Sequence, residues 1–177
     1  MNNDLIQKLG GGNRRSIGQS ERVVEEILAQ PERFGELFEC MLHSDPLVRM
    51  RAVDAAEKIT ARRPDLLQPY KDRLLSQVAQ VPQQEVRWHV AQMFSRLELT
   101  SEERRVVVDI LYDFMHEKSK IVKTFSMQAL ADIADQDDAL YPEILSRLEI
   151  YTSQGSPAMK SRGMKLLAKL KKHRPLD

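Results

Sequence analysis

DPLVRMRAVDAAEKI, residues Asp45–Ile59, has three gapless counterparts: QQEVRWHVAQMFSRL (Gln83–Leu97), SKIVKTFSMQALADI (Ser119–Ile133) and SPAMKSRGMKLLAKL (Ser156–Leu170). The segments begin 38, 36 and 37 residues apart. The fourth column reads Val48, Val86, Val122, Met159, and the fifth Arg49, Arg87, Lys123, Lys160. The eighth, Ala52, Val90, Ser126, Gly163, is mostly small, and the fifteenth, Ile59, Leu97, Ile133, Leu170, is aliphatic. Columns four, eight, eleven, twelve and fifteen fall on one arc of a helix that turns about 100° per residue. A repeated amphipathic helix is the simplest structure that meets this pattern.

The chain between these segments keeps the same register. Leu37, Leu75, Leu111 and Leu148 share one column, and Cys40, Val78, Phe114 and Tyr151 another. Pro31, Pro69 and Pro142 share a third, with Arg105 in the remaining unit. Proline at such a place marks the first turn of a helix, where its missing N–H costs nothing. Each unit is therefore a helix pair, its first member A and its second B. Asp45 before Pro46 and Ser156 before Pro157 read as N-caps with proline at N1. Thr100 with Glu103 reads as a capping box opening the third A helix.

Composition agrees. Apolar residues are 42% and charged residues 30% of the 177, which predicts a folded chain with a core. Lys plus Arg (27) nearly balances Asp plus Glu (26), so any polyanionic partner needs a local basic patch. No apolar run is long enough to span a bilayer, and the N-terminus lacks the pattern of a signal peptide. The single cysteine, Cys40, has no partner within the chain, and a cytoplasmic setting is expected.

With Asp-Pro at the A–B turn of DPLVRMRA, Val then Arg at columns four and five, small residues at column eight and an aliphatic close, the chain resembles the HEAT-repeat (HEAT/armadillo-like) proteins, in particular small bacterial-type ones. The resemblance implies an all-α, right-handed α-solenoid of about four helix pairs, at about 31–60, 66–98, 101–134 and 139–172. An N-terminal capping helix within SERVVEEILAQ precedes them. Residues 1–18, with Gly10–Gly12 as a hinge and the basic stretch RRSIG from Arg14, are expected to be a flexible segment ahead of a single domain, 19–177. The end beyond Pro175 is expected to fray.

The resemblance also implies that B helices line a concave face. Column six points away from the packed arc and carries Met50, Trp88, Thr124 and Ser161; Trp88 is the only tryptophan. Exposed tryptophan beside arginine is the composition of an interaction hot spot. The expected partner-binding residues are Met50, Arg87, Trp88, Gln92, Thr124 and Gln128, and the expected function is a non-enzymatic scaffold that binds a protein or peptide. Arg49, Arg87, Lys123 and Lys160 form a basic ladder, read chiefly as structural: such side chains bind acidic neighbours or helix-terminal carbonyls.

The alternative is a nucleic-acid-binding protein related in architecture to alkylpurine DNA glycosylases, with the ladder on phosphates and Trp88 stacking. His89, at column seven beside Arg51, Phe125 and Arg162, is expected at a partly exposed groove edge, not as a catalytic base. No catalytic residue, metal site or cofactor is expected: no spacing of His, Cys or acidic residues supports one, and GGGNRR lacks a P-loop ending. Cys40 reads as core. The apolar last B helix leaves monomer or weak homo-oligomer open.

Overall fold

The computed structural model describes residues 3–11 and 18–173. Among them are ten α-helices and no strand. The chain divides into two compact units, residues 1–97 and 98–177.

The first unit contains α1 (Asn3–Leu9), α2 (Ser20–Ala29), α3 (Phe34–Cys40), α4 (Pro46–Arg62), α5 (Lys71–Ser76) and α6 (Gln84–Phe94). The B helices α4 and α6 pack together, and α2 lies on the other side of α4. Val24, Leu37, Phe38, Val48, Ala52, Ile59, Val90 and Phe94 form the buried centre. These include columns four, eight, twelve and fifteen of the repeat, so the periodicity is the core. Pro31 opens the single 3₁₀ turn before α3, and Pro69 sits in the turn before α5. The second A segment is broken by turns at Pro64–Leu66, Gln68–Tyr70 and Val78–Gln80, two of them begun by proline-bearing tripeptides. Asp45 caps α4 by accepting the Leu47 N–H at 2.8 Å.

The N-terminus departs from the expected flexible segment. Residues Asn3–Leu9 are helical, with Leu5 and Leu9 fully buried. The helix stops where Gly10 N–H bonds the Ile6 carbonyl at 2.7 Å and Gly11 takes a φ of +70°, a left-handed conformation that glycine adopts without strain. A helix this short is marginal alone in water. Here it is held from outside. Arg51 of α4, only 2% exposed, directs Nη1 at the carbonyls of Leu9, Gly10 and Gly11, at 2.7, 3.0 and 2.8 Å. Lys8 bridges Asp4 and Glu26 at 2.7 and 2.6 Å. The chain returns over the guanidinium at Gly18 (φ +58°), where a Cβ would stand 2.9 Å from Arg51 Nη1. Gly12, the Arg14–Ile17 part of RRSIG and Pro175 lie outside the described residues.

α2 is accordingly more than a lone cap. Its buried Ser20, Val23, Val24 and Ile27 have the spacing of columns eight, eleven, twelve and fifteen, with a small residue again at column eight. With α1 it forms a further, shortened helix pair at the N-terminal edge.

The second unit contains α7 (Ser101–Phe114), α8 (Lys120–Ala134), α9 (Tyr141–Gln154) and α10 (Pro157–His173). α8 packs on α7, α9 and α10, and α9 on α10. The capping box forms both bonds: Thr100 N–H to Glu103 Oε2 at 2.8 Å, and Glu103 N–H to Thr100 Oγ1 at 3.2 Å. Ser156 Oγ accepts the Met159 N–H at 3.4 Å, and Pro142 stands in the first turn of α9. Gly163 shows why column eight is small. A Cβ there would meet Thr152 Oγ1 at 2.0 Å and Thr152 Cβ at 2.9 Å, so its absence sets the close approach of α10 to α9. No helix of the described residues is long and apolar enough to cross a membrane.

Candidate partner-binding face

On α6, the buried Val86, Val90, Ala91, Met93 and Phe94 leave Trp88, Gln92 and Ser95 on the opposite side of the helix. The same arithmetic places Met50 and Asp54 on the outward side of α4. Trp88 and Met50 are both half-buried, neither core nor fully exposed. Gln92 Nε2 donates to the Trp88 carbonyl at 3.2 Å, and the indole and His89 rings are 5.5 Å apart, tilted by 56°. The tryptophan thus rests against its own helix with part of its surface open to a partner.

Column seven carries a different role from the expected groove edge. Within each unit one member reaches the preceding B helix. His89 Nε2 lies 3.9 Å from Asp54, and Arg162 Nη1 donates to Gln128 Oε1 at 2.8 Å, each joining column seven to column ten of the preceding repeat. Arg51, the first member, holds the carbonyls at the end of α1 instead. The partner changes along the column and so does the burial: Arg51 is buried, His89 half-buried and Arg162 exposed. The His89 side chain is 14% exposed, and its Nδ1 has no hydrogen-bond partner. Burial pushes its pKa below the ordinary histidine value, against the upward pull of Asp54 and Glu57.

The charges on this face are largely neutralised within it. Lys58 pairs with Asp54 at 2.9 Å and with Glu21 of α2. Arg96, in the turn just after α6, pairs with Glu57 of α4 and also donates to the Glu57 carbonyl at 2.6 Å and Thr60 Oγ1 at 2.9 Å.

The basic ladder does not share one environment. Arg49 Nη1 donates to the carbonyls of His43 and Ser44 at 2.6 and 3.0 Å, and its Nε to Gln83 Oε1 at 3.0 Å. Gln83 in turn donates to the Pro46 carbonyl at 2.9 Å, which ties the start of α6 to that of α4. Arg87 Nε donates to the Val81 carbonyl at 3.4 Å. These arginines satisfy backbone at the A–B turns. Lys123 instead lines a pocket, and Lys160 is exposed. In the second unit Thr124 Oγ1 donates to the Lys120 carbonyl at 2.7 Å, while Gln128 donates to Asp132 Oδ1 at 3.0 Å and accepts from Arg162. Both expected site residues there are engaged within the fold.

A second pocket, of about 350 Å³ in the first unit, is lined by Ile6, Gly35, Glu36, Glu39, Cys40, His43 and Tyr70. Burial pushes the Cys40 thiol up to about 11, so it stays protonated and is a poor nucleophile. Glu39 is paired with Arg73 at 2.5 Å. Among the described residues no group of three or more His, Cys, Asp or Glu is placed to hold a metal ion.

Lys118 lies just before the repeated segment and Lys120 at its second column, where the other units carry Pro46, Gln84 and Pro157, so no repeating charge marked either. The signal was present as KSKIVK (Lys118–Lys123), three lysines in six residues without an acid.

Repeated helix pairs, B helices packed side by side and a core that follows the repeat define an all-α protein of the α-solenoid class. The chain belongs to the HEAT repeat domain family, whose model matches residues 8–170. None of the curated proteins matches it. HEAT repeats generally mediate protein–protein interaction, and the family is typically a non-enzymatic scaffold.

Proposed function

We propose that this chain is a non-enzymatic scaffold that binds a partner protein or peptide on its B-helix face, with Trp88 as the anchor. The observation that carries this is the half-buried Trp88 on the outward side of α6, a helix whose packed core does not use it. Met50 adds apolar surface on α4, and Gln92 adds polar capacity beside the indole. Around them Lys58, Asp54, Glu57 and Arg96 are paired, so a partner meets a nearly neutral apolar patch with a polar rim, the usual anatomy of a hot spot. A rigid helix stack presents this patch preformed, which lowers the ordering cost of binding. Arg87 flanks the patch while also holding the Val81 carbonyl. Thr124 and Gln128 are left out of the proposed contact, because their side chains are spent within the second unit.

The same side-chain contacts weaken the nucleic-acid alternative. Arg49 and Arg87 donate to backbone carbonyls, so half of the ladder is committed before any phosphate arrives. The test is quantitative affinity capture with the full chain, comparing wild type with Trp88→Ala and Met50→Ala. Proteins retained by wild type should be lost from both variants and kept by Met164→Ala, a control at an exposed position on α10.

A further inference from the structure

The second unit holds a pocket of about 410 Å³ at its A–B turns, lined by Lys118, Lys120 and Lys123 and by Met115, Tyr151 and Met159. Its two halves have opposite chemistry. Met115 and Met159 are 6% and 7% exposed and, with Tyr151, give an apolar floor. Gly155 keeps that floor open: a Cβ there would meet the Tyr151 carbonyl oxygen at 2.5 Å and Met159 Cβ at 2.7 Å. Methionine floors adapt to the side chain placed on them.

The rim is cationic and uncompensated. Lys8, Lys58, Lys169 and Lys171 each hold a carboxylate. Among the described residues no carboxylate lies within ion-pair distance of Lys118, Lys120 or Lys123. Three like charges within six residues repel one another, and an incoming anion relieves that. Ile121 stands between them, 50% exposed, on the same first turn of α8.

We propose that this pocket docks an acidic peptide segment of a partner protein, with one apolar side chain on the Met115–Tyr151–Met159 floor and flanking aspartate or glutamate on the three lysines. The volume holds an apolar side chain together with part of the flanking peptide. The cations form one cluster, not a track along which a nucleic-acid backbone could run, and the overall charge of +1 offers no wider attraction to one. The pocket belongs to the second unit and the Trp88 patch to the first, and their partner chemistry differs.

The test uses the full chain, ¹⁵N-labelled, and a short labelled peptide in which one leucine is flanked on both sides by aspartate and glutamate. Anisotropy should show saturable binding, and amide shifts should map to residues 115–123 and 151–159. Replacing the peptide leucine by serine, or introducing Lys120→Glu with Lys123→Glu, should each weaken binding about tenfold. Trp88→Ala should leave it unchanged, so this proposal and the B-face reading fail independently. Thermal unfolding checks the fold of the double variant; the exposed single change Lys120→Glu carries the same test if the double variant unfolds. The proposal is overturned by absent saturation at low salt, by equal binding to the charge-reversed variant, or by a serine peptide or oligothymidylate that binds as tightly.

Discussion

Arg51 Nη1 on α4 lies 2.7 Å from the Leu9 carbonyl oxygen at the end of α1. The same nitrogen reaches two more carbonyls, of Gly10 and Gly11. A buried arginine thus closes the C-terminal end of α1. Arg51→Met keeps much of the volume and removes the donors, leaving the buried Leu9 carbonyl unsatisfied and the part-buried Gly10 and Gly11 carbonyls without their guanidinium. It should lower stability by about 2–4 kcal/mol. Amide exchange should then accelerate selectively at Leu5–Leu9. Uniform loss of protection across α4 and α6, with α1 no more affected than they are, would contradict this account.

The sequence made the repeat legible because the repeat is the core. Val48, Val86 and Val122 are buried as their column requires, and the Asp45 cap and the Thr100–Glu103 box are in place. Two things were hidden, for physical reasons. α1 is too short to announce itself by periodicity and forms through contacts with Arg51 and Glu26, which lie far from it in sequence. Arg51 and His89 look like surface residues, since the partners that bury them are backbone carbonyls in one case and a distant aspartate in the other. Of the candidate site, the outward position of column six could be read from helix geometry alone. The internal engagement of Thr124 and Gln128 could not, because it depends on which rotamers the neighbouring repeat leaves open.

Arg96 ties α6 to α4 through the Glu57 carboxylate, the Glu57 carbonyl and Thr60 Oγ1. Both side chains of the ion pair are mostly buried, at 20% and 16% exposure. Arg96→Ala should cost about 1–3 kcal/mol in chemical denaturation. Arg96→Lys should recover only part of this, because an ammonium cannot serve three acceptors in a fork. Full recovery by lysine would show that charge alone matters.

His89 should titrate below the free histidine value of 6.5. Its folded-state pKa is depressed by burial, so the unfolded chain takes up the proton first as pH falls. Stability is therefore unaffected by this group above the unfolded pKa, and is lost as pH drops from about 6.5 through the folded value. His89→Gln removes that loss. The stability of wild type relative to His89→Gln should decline between about pH 7.5 and pH 5. A constant or rising difference would refute it.

Gly163 sits inside α10, where glycine is ordinarily worse than alanine by up to about 1 kcal/mol. The contact with Thr152 reverses the sign. Gly163→Ala should destabilise by about 1–3 kcal/mol through overpacking. Thr152→Ala in the same chain should restore much of it, by clearing the space that the new Cβ enters. Stabilisation by Gly163→Ala alone would mean that α9 and α10 are not in such close contact.

The most direct measurement is partner affinity at Trp88. Quantitative capture by wild type and Trp88→Ala, at matched thermal stability, should show at least about a tenfold loss of binding, or roughly 1.4 kcal/mol. Equal capture by the two proteins would remove Trp88 from the interface and with it the proposed B-helix binding face.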